Sequence, residues 1–136
     1  MTYEELDHTA DVKVRVKARS LEDLFAESVR ALMEVMYVAC TTGDEVVREV
    51  EVTADGEEEL IHDFLSEVLF SSVVDNIVFC SASVNIHGFR VHGKLRGEYF
   101  SPGRHLGGTE VKGISYNDLR LFREGEFYVL DIIFDV

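Results

Sequence analysis

The sequence predicts an α+β domain, a mainly antiparallel sheet with two amphipathic helices packed on one face. Three features point there. A strand of alternating polarity stands near the start of the chain, two helix-spaced apolar stripes lie in the first half, and the second half is almost all strand with short turns between. The 136 residues fit one domain, 1–136. A chain of this length typically buries roughly two-thirds of its unfolded surface, so a core is expected without metal or disulfide staples.

In chain order, Tyr3 to His8 reads as a short strand, followed by a tight Thr9-Ala10-Asp11 connection. Val12, Val14, Val16 and Ala18 then alternate with Lys13, Arg15 and Lys17, which gives a strand with one cationic face in water. Ser20 is an N-cap type, with Asp23 three residues on. Leu21, Leu24, Phe25, Val29, Leu32, Met33 and Met36 follow at 3/4 spacing, the pattern of a core-facing helix. Glu45 to Ala54 is a Val-rich strand. A second helix runs from about Glu57 to Val73, with Leu60, Ile61, Phe64, Leu65, Val68 and Leu69 as its stripe. Ile77 to Ile86 and Phe89 to Phe100 are strands joined by a His87-Gly88 hairpin turn. Glu110 to Ser115, Leu119 to Glu124 and Glu126 to Val136 complete the set, with a reversal at Gly125. The order in which these strands pair is not legible in one sequence.

Composition excludes several roles. Asp and Glu number 26 against 13 Lys and Arg, a formal net charge of −13. Such a surface repels phosphate backbones and acidic lipid, because affinity for both rests on Lys and Arg. Cations and basic protein surfaces are the favoured partners. The first residues lack the basic and apolar regions of a signal peptide, and no apolar run approaches the roughly 20 residues that span a bilayer. A cytoplasmic protein is expected. Cys40 and Cys80 lie in unrelated segments, too few for a disulfide scaffold or a zinc site, and read as buried free thiols.

No familiar catalytic motif stands in the chain, and Gly107-Gly108 is too short for a phosphate cradle. The five histidines, His8, His62, His87, His92 and His105, show no ligand spacing. Two places carry possible chemistry. One is Asp7-His8-Thr9-Ala10-Asp11. The other is the hydrophobic C-terminal strand ending Ile132-Ile133-Phe134-Asp135-Val136. If the sheet brings Asp11 beside Asp135 and the Val136 carboxylate, three hard oxygen donors converge, suited to calcium, magnesium or manganese. The plainer alternative is a turn-capping Asp11 and an Asp135 that faces water.

Three blocks resemble the archease family. They are Asp7-His8-Thr9-Ala10-Asp11, then Gly108-Thr109-Glu110-Val111-Lys112 with Ser115-Tyr116, and the terminal Phe134-Asp135-Val136. Their order, the early helices, the acidic balance and the length extend the resemblance over the whole chain. Archeases are described as cofactors of RtcB-type RNA ligases, which join tRNA-splicing ends using GTP and Mn²⁺. They promote the ligase's guanylylation and multiple turnover. The resemblance implies a metal site at Asp11, Asp135 and Val136, calcium being the ion usually assigned, and a functional role in ligase activation for Lys112 and Asp11. It implies no catalytic activity of the chain's own. Lys13 stands where the family often has Gly, and Asp131 adds an acid to the last strand, which leaves the ligand list open. Two other readings stay in play. One is a small metal-dependent hydrolase with His8 as the nearby base. The other is a calcium-stabilised protein-interaction module.

Overall fold

The computed structural model describes residues 11–38, 40 and 45–136. The strand expected over residues 3–8, and with it His8, lies outside them. The described elements are β1 (Asp11–Ala18), α1 (Leu21–Met36), β2 (Val46–Thr53), α2 (Glu57–Asp75), β3 (Ile77–His87), β4 (Arg90–Tyr99), a short α3 (Pro102–His105), β5 (Gly113–Glu124) and β6 (Phe127–Asp135).

The strands form two antiparallel three-stranded sheets, ordered β1-β6-β5 and β2-β4-β3. Helix α1 packs on β1 and β3, α2 packs on β5 and β2, and the helices touch each other. One continuous core therefore joins both sheets and both helices. At its centre the Phe25 and Phe64 rings meet across the helix pair, 5.6 Å between centroids.

Local chemistry explains the elements. The Ser20 hydroxyl accepts the Asp23 N–H at 3.1 Å, the bond expected of an N-cap. Leu24, Phe25, Val29, Leu32 and Met33 of the predicted stripe are buried. Glu57, Glu58 and Glu59 open α2, where negative charge complements the helix dipole, and Asn76 closes it at a left-handed φ of 60°. Ser72, buried in α2, donates to the Ile77 carbonyl at 2.6 Å and lies 2.8 Å from the Tyr37 hydroxyl, joining α2, β3 and the end of α1. The reversals at Gly88 and Gly125 occur where expected, with φ of 62° and 60°.

Two expectations need correction. The sequence pattern predicts two strands, Glu110 to Ser115 and Leu119 to Glu124, whereas β5 is one strand that starts at Gly113 and crosses an irregularity between Ser115 and Arg120. Asp118 takes a φ of 57° there, so the polar Tyr116-Asn117-Asp118 stretch bulges and does not end the strand. The cysteines are not buried free thiols. Cys40 is exposed, Cys80 half-buried, and the two are joined as a disulfide with Cα atoms 5.5 Å apart. The fold brings together segments that look unrelated in sequence. Among the described residues no helix is long and apolar enough to cross a membrane.

Candidate functional site

Strand β6 runs between β1 and β5, and its end gathers three segments. Asp135 is directly opposite Asp11 on one side and Gly113 on the other. Leu130, Ile132 and Phe134 are fully buried in the main core, so Asp131, Ile133 and Asp135 project to the opposite side of the sheet, where Asp131 and Ile133 are also covered and Asp135 is exposed. Residues opposite each other in antiparallel strands project to the same face, with Cα atoms about 4.5–5.5 Å apart. Asp11 and Asp135, from opposite ends of the chain, are thus exposed cross-strand neighbours on one side of the sheet.

The Lys112 N–H donates to the Asp135 carbonyl at 2.7 Å, extending the pairing one residue before β5. A Cβ on Gly113 would lie 3.8 Å from Asp135 Oδ2, so the carboxylate lies close over that glycine. Val136 is half-buried and packs against the core, which anchors the strand end. The exposed Lys112 lines an open cleft of about 730 Å³ with Phe70, Val73 and Val74 of α2. These three apolar side chains are 63%, 58% and 61% exposed.

Two carboxylates directly opposite each other repel, and a cation between them relieves the repulsion. The donors are hard oxygens, so the pair fits calcium, magnesium or manganese better than zinc.

Asp131 has a different occupation. It faces Arg15 across the β1–β6 ladder, and Arg15 Nε and Nη2 donate to its two oxygens at 2.6 and 2.8 Å. These hydrogen bonds, outweighing the cost of burial, hold the Asp131 carboxyl below its ordinary value of 3.8. The extra acid of the final strand is thus half of an ion pair. Because its folded value is depressed, the stabilisation is complete above the unfolded value and fades as pH falls through the folded one. Asp131→Asn should cost about 1.5–3 kcal/mol at neutral pH, the range for hydrogen bonds to a charged group. Urea unfolding at pH 7 and pH 3 checks this: the gap between wild type and variant should narrow in acid, and an unchanged gap contradicts it.

One residue that the sequence reading passed over shapes the site. His62 of α2 donates from Nε2 to the Ile114 carbonyl at 2.8 Å, and its Nδ1 lies 2.9 Å from Asp63 Oδ1. The Tyr116 ring stacks on it at 3.6 Å. His62 thereby fixes the start of β5 beside Gly113. No ligand spacing marks such a residue, since its partner is a main-chain oxygen supplied by the tertiary fold.

The family model of the Archease protein family (MTH1598/TM1083) matches residues 3–136. The chain belongs to the archease family. It is 35% identical to the protein archease of Methanopyrus kandleri in an alignment covering 100% of both chains. It is 31% identical to the protein archease-like of Drosophila melanogaster, covering 100% of this chain and 91% of the other. The archease fold is also seen in solved structures. The solution structure of Methanobacterium thermoautotrophicum protein 1598 superposes with a TM-score of 0.77 at 24% identity, covering 96% of each chain. The crystal structure of a Thermotoga maritima protein, described as an archease and possible chaperone, gives 0.67 at 19% identity, covering 100% of this chain and 98% of that one. All three archease-like blocks lie within the matched span. Asp11, the described residue of the first, meets Asp135 of the last and Lys112 of the second at the end of β6.

Proposed function

We propose that this archease-family chain is a cofactor of an RtcB-type RNA ligase in tRNA splicing, acting in the cytoplasm to promote the ligase's guanylylation and multiple turnover with no catalysis of its own. The observation that carries the reading is the cross-strand pairing of Asp11 with Asp135, with Lys112 hydrogen-bonded at its edge. In this reading Asp11 and Asp135 hold a divalent metal, calcium in preference to magnesium or manganese, and Val136 adds a main-chain or terminal oxygen. When bound, the ion supplies positive charge between the two carboxylates. The Lys112 ammonium, on its flexible stem beside them, reaches a phosphate or an acidic side chain of the ligase.

Two further observations support a protein partner. Phe70, Val73 and Val74 form an exposed apolar patch beside Lys112, and such patches mark protein contacts. The net charge of −13 suits a partner with a basic RNA groove: an acidic helper docks at its rim without competing for RNA, and opposite fields speed encounter.

The test is a ligation assay with the cognate ligase. The chain alone should turn over nothing, and catalytic amounts of ligase should complete many cycles only when it is added. A ligase indifferent to the chain overturns the reading. Residues appended after Val136 should weaken calcium binding, measured by titration calorimetry, or ligase activation, because the α-carboxylate moves away. A tagged chain unchanged in both shows that the free carboxylate plays no part.

A further inference from the structure

A second group of ligand-type atoms meets on the other sheet. The β3–β4 ladder pairs Val78 with Glu98 and Phe79 with Gly97, then resumes with Ser81 and Arg96, so Cys80 is the inserted residue of a bulge. Bulges re-aim the side chain they insert. Gly97 permits this one, since a Cβ there would overlap the Val78 carbonyl. Cys40, from the segment after α1, reaches Cys80. A Glu98 carboxylate oxygen joins the two Sγ atoms, all three within 4.8 Å of one another.

Glu98 is held from behind. It is 1% exposed, accepts from Nε2 of the fully buried His105 at 2.7 Å, and has Arg104 Nη1 3.8 Å from Oε2. The Ser101 N–H donates to His105 Nδ1 at 2.9 Å, which places the ring proton on Nε2, facing Glu98. A histidine hydrogen-bonded behind a carboxylate is the arrangement that orients ligating groups in metal sites. The cysteine pair also lies in the wall of an open cleft of about 340 Å³, bounded by Arg30, Glu34, Tyr37 and Val38, so ions reach it from solvent.

We propose that reduction of the Cys40–Cys80 disulfide creates a binding site for Zn²⁺, with Cys40, Cys80 and Glu98 as ligands. A dithiol reductant delivers two electrons and two protons. The S–S bond breaks, each Sγ becomes a thiol, and the reductant closes its own disulfide. Zn²⁺ then displaces the two thiol protons into solvent. Thiolate sulfur favours zinc over the hard ions suited to Asp11 and Asp135. Tetrahedral zinc with Zn–S bonds of about 2.3 Å sets its sulfurs about 3.8 Å apart. Rotation of the exposed Cys40 side chain supplies that separation. Three protein donors leave the fourth zinc position to water. The two thiolates and Glu98 carry three negative charges, which the dication and the nearby Arg104 offset. Disulfide and metal exclude each other, so the site binds only in the reduced protein.

Cobalt(II) is the probe, because a thiolate ligand gives it a charge-transfer absorption that oxygen ligands do not. The full chain is reduced with a dithiol, freed of it by anaerobic gel filtration, and titrated. The expected result is a charge-transfer band saturating at one cobalt per chain, displaced by zinc, and missing from the oxidised protein. Cys80→Ser and Cys40→Ser should each weaken it. The second change lies at an exposed position and tests the idea even if the first disturbs β3. Glu98→Gln, which keeps an oxygen for His105 but removes the ligating charge, should lower affinity by at least about tenfold, since even changes behind a ligand cost about 10–100-fold. A reduced wild type without the band, or a Glu98→Gln variant that binds as tightly as wild type, overturns the proposal.

Discussion

On the proposed role as a ligase cofactor, Asp11→Ala and Lys112→Ala should each return the ligase to its unassisted rate while leaving the fold intact. Neither side chain is part of the core, and both positions are exposed. The structural contact at Lys112 is its main-chain N–H to Asp135, which alanine retains. Surface changes of this kind shift stability by less than about 0.5 kcal/mol. Asp11→Ala should if anything raise the melting temperature of the metal-free protein, because it removes a like charge directly opposite Asp135. The measurements are paired: thermal melting of each variant, and guanylylation of the ligase under multiple turnover. Variants that melt like wild type and still activate fully show the site assignment to be wrong. Activation lost only together with the fold makes both residues structural.

The largest effect on stability is expected at Gly108. A Cβ there would overlap the Met36 carbonyl and come within 2.5 Å of the Tyr37 nitrogen, both main-chain groups at the end of α1. The next residue donates its N–H to the Val35 carbonyl at 2.8 Å, satisfying an acceptor the helix end leaves open. Gly108→Ala must push this segment off the helix. Forcing a group into a packed site costs typically 1–3 kcal/mol. Here the obstacles are backbone, so about 3 kcal/mol is expected, enough to lower the melting temperature by roughly 6–12 °C in a chain of this size. The same segment leads into Lys112 and β5, so activation should fall as well. Melting within a degree or two of wild type would mean that residues 107–112 shift easily, and that the close approach contributes little.

Local elements were legible because local chemistry decides them. The Ser20 cap, the stripe of α1, the alternation of β1 and the two glycine turns each lie within a few residues, and each is found as read. Features set by distant pairing were not legible. The division into two sheets rests on β6 entering between β1 and β5, which no local pattern states. The four residues of α3 are too few for a periodicity to show. Asp118 gives no glycine signal at a left-handed position, so the bulged β5 reads as two strands. At the candidate site the residues could be named from sequence, but their adjacency required the ladder. The same ladder shows Asp131 engaged with Arg15, a distinction that no count of acids makes.

The central place of β6 also governs when the molecule can assemble. Arg15 and Asp131 are hydrogen-bonded partners 116 residues apart. Ribosomes add about 5–20 residues per second, so β1 waits roughly 6–23 s after its own synthesis for the strand that pairs with it. Through that interval the main chain of β1 offers open hydrogen-bonding groups to any passing strand, even after α1 has come to pack on its Val12, Val14 and Val16 side. Lys13, Arg15 and Lys17 stand on the other side of that ribbon, one cation at every second residue. Charges so placed deter a nascent chain from pairing with its neighbours on a polysome, as lysines do along sheet edges. The alternation that marks β1 in the sequence therefore also protects the chain before it has a fold.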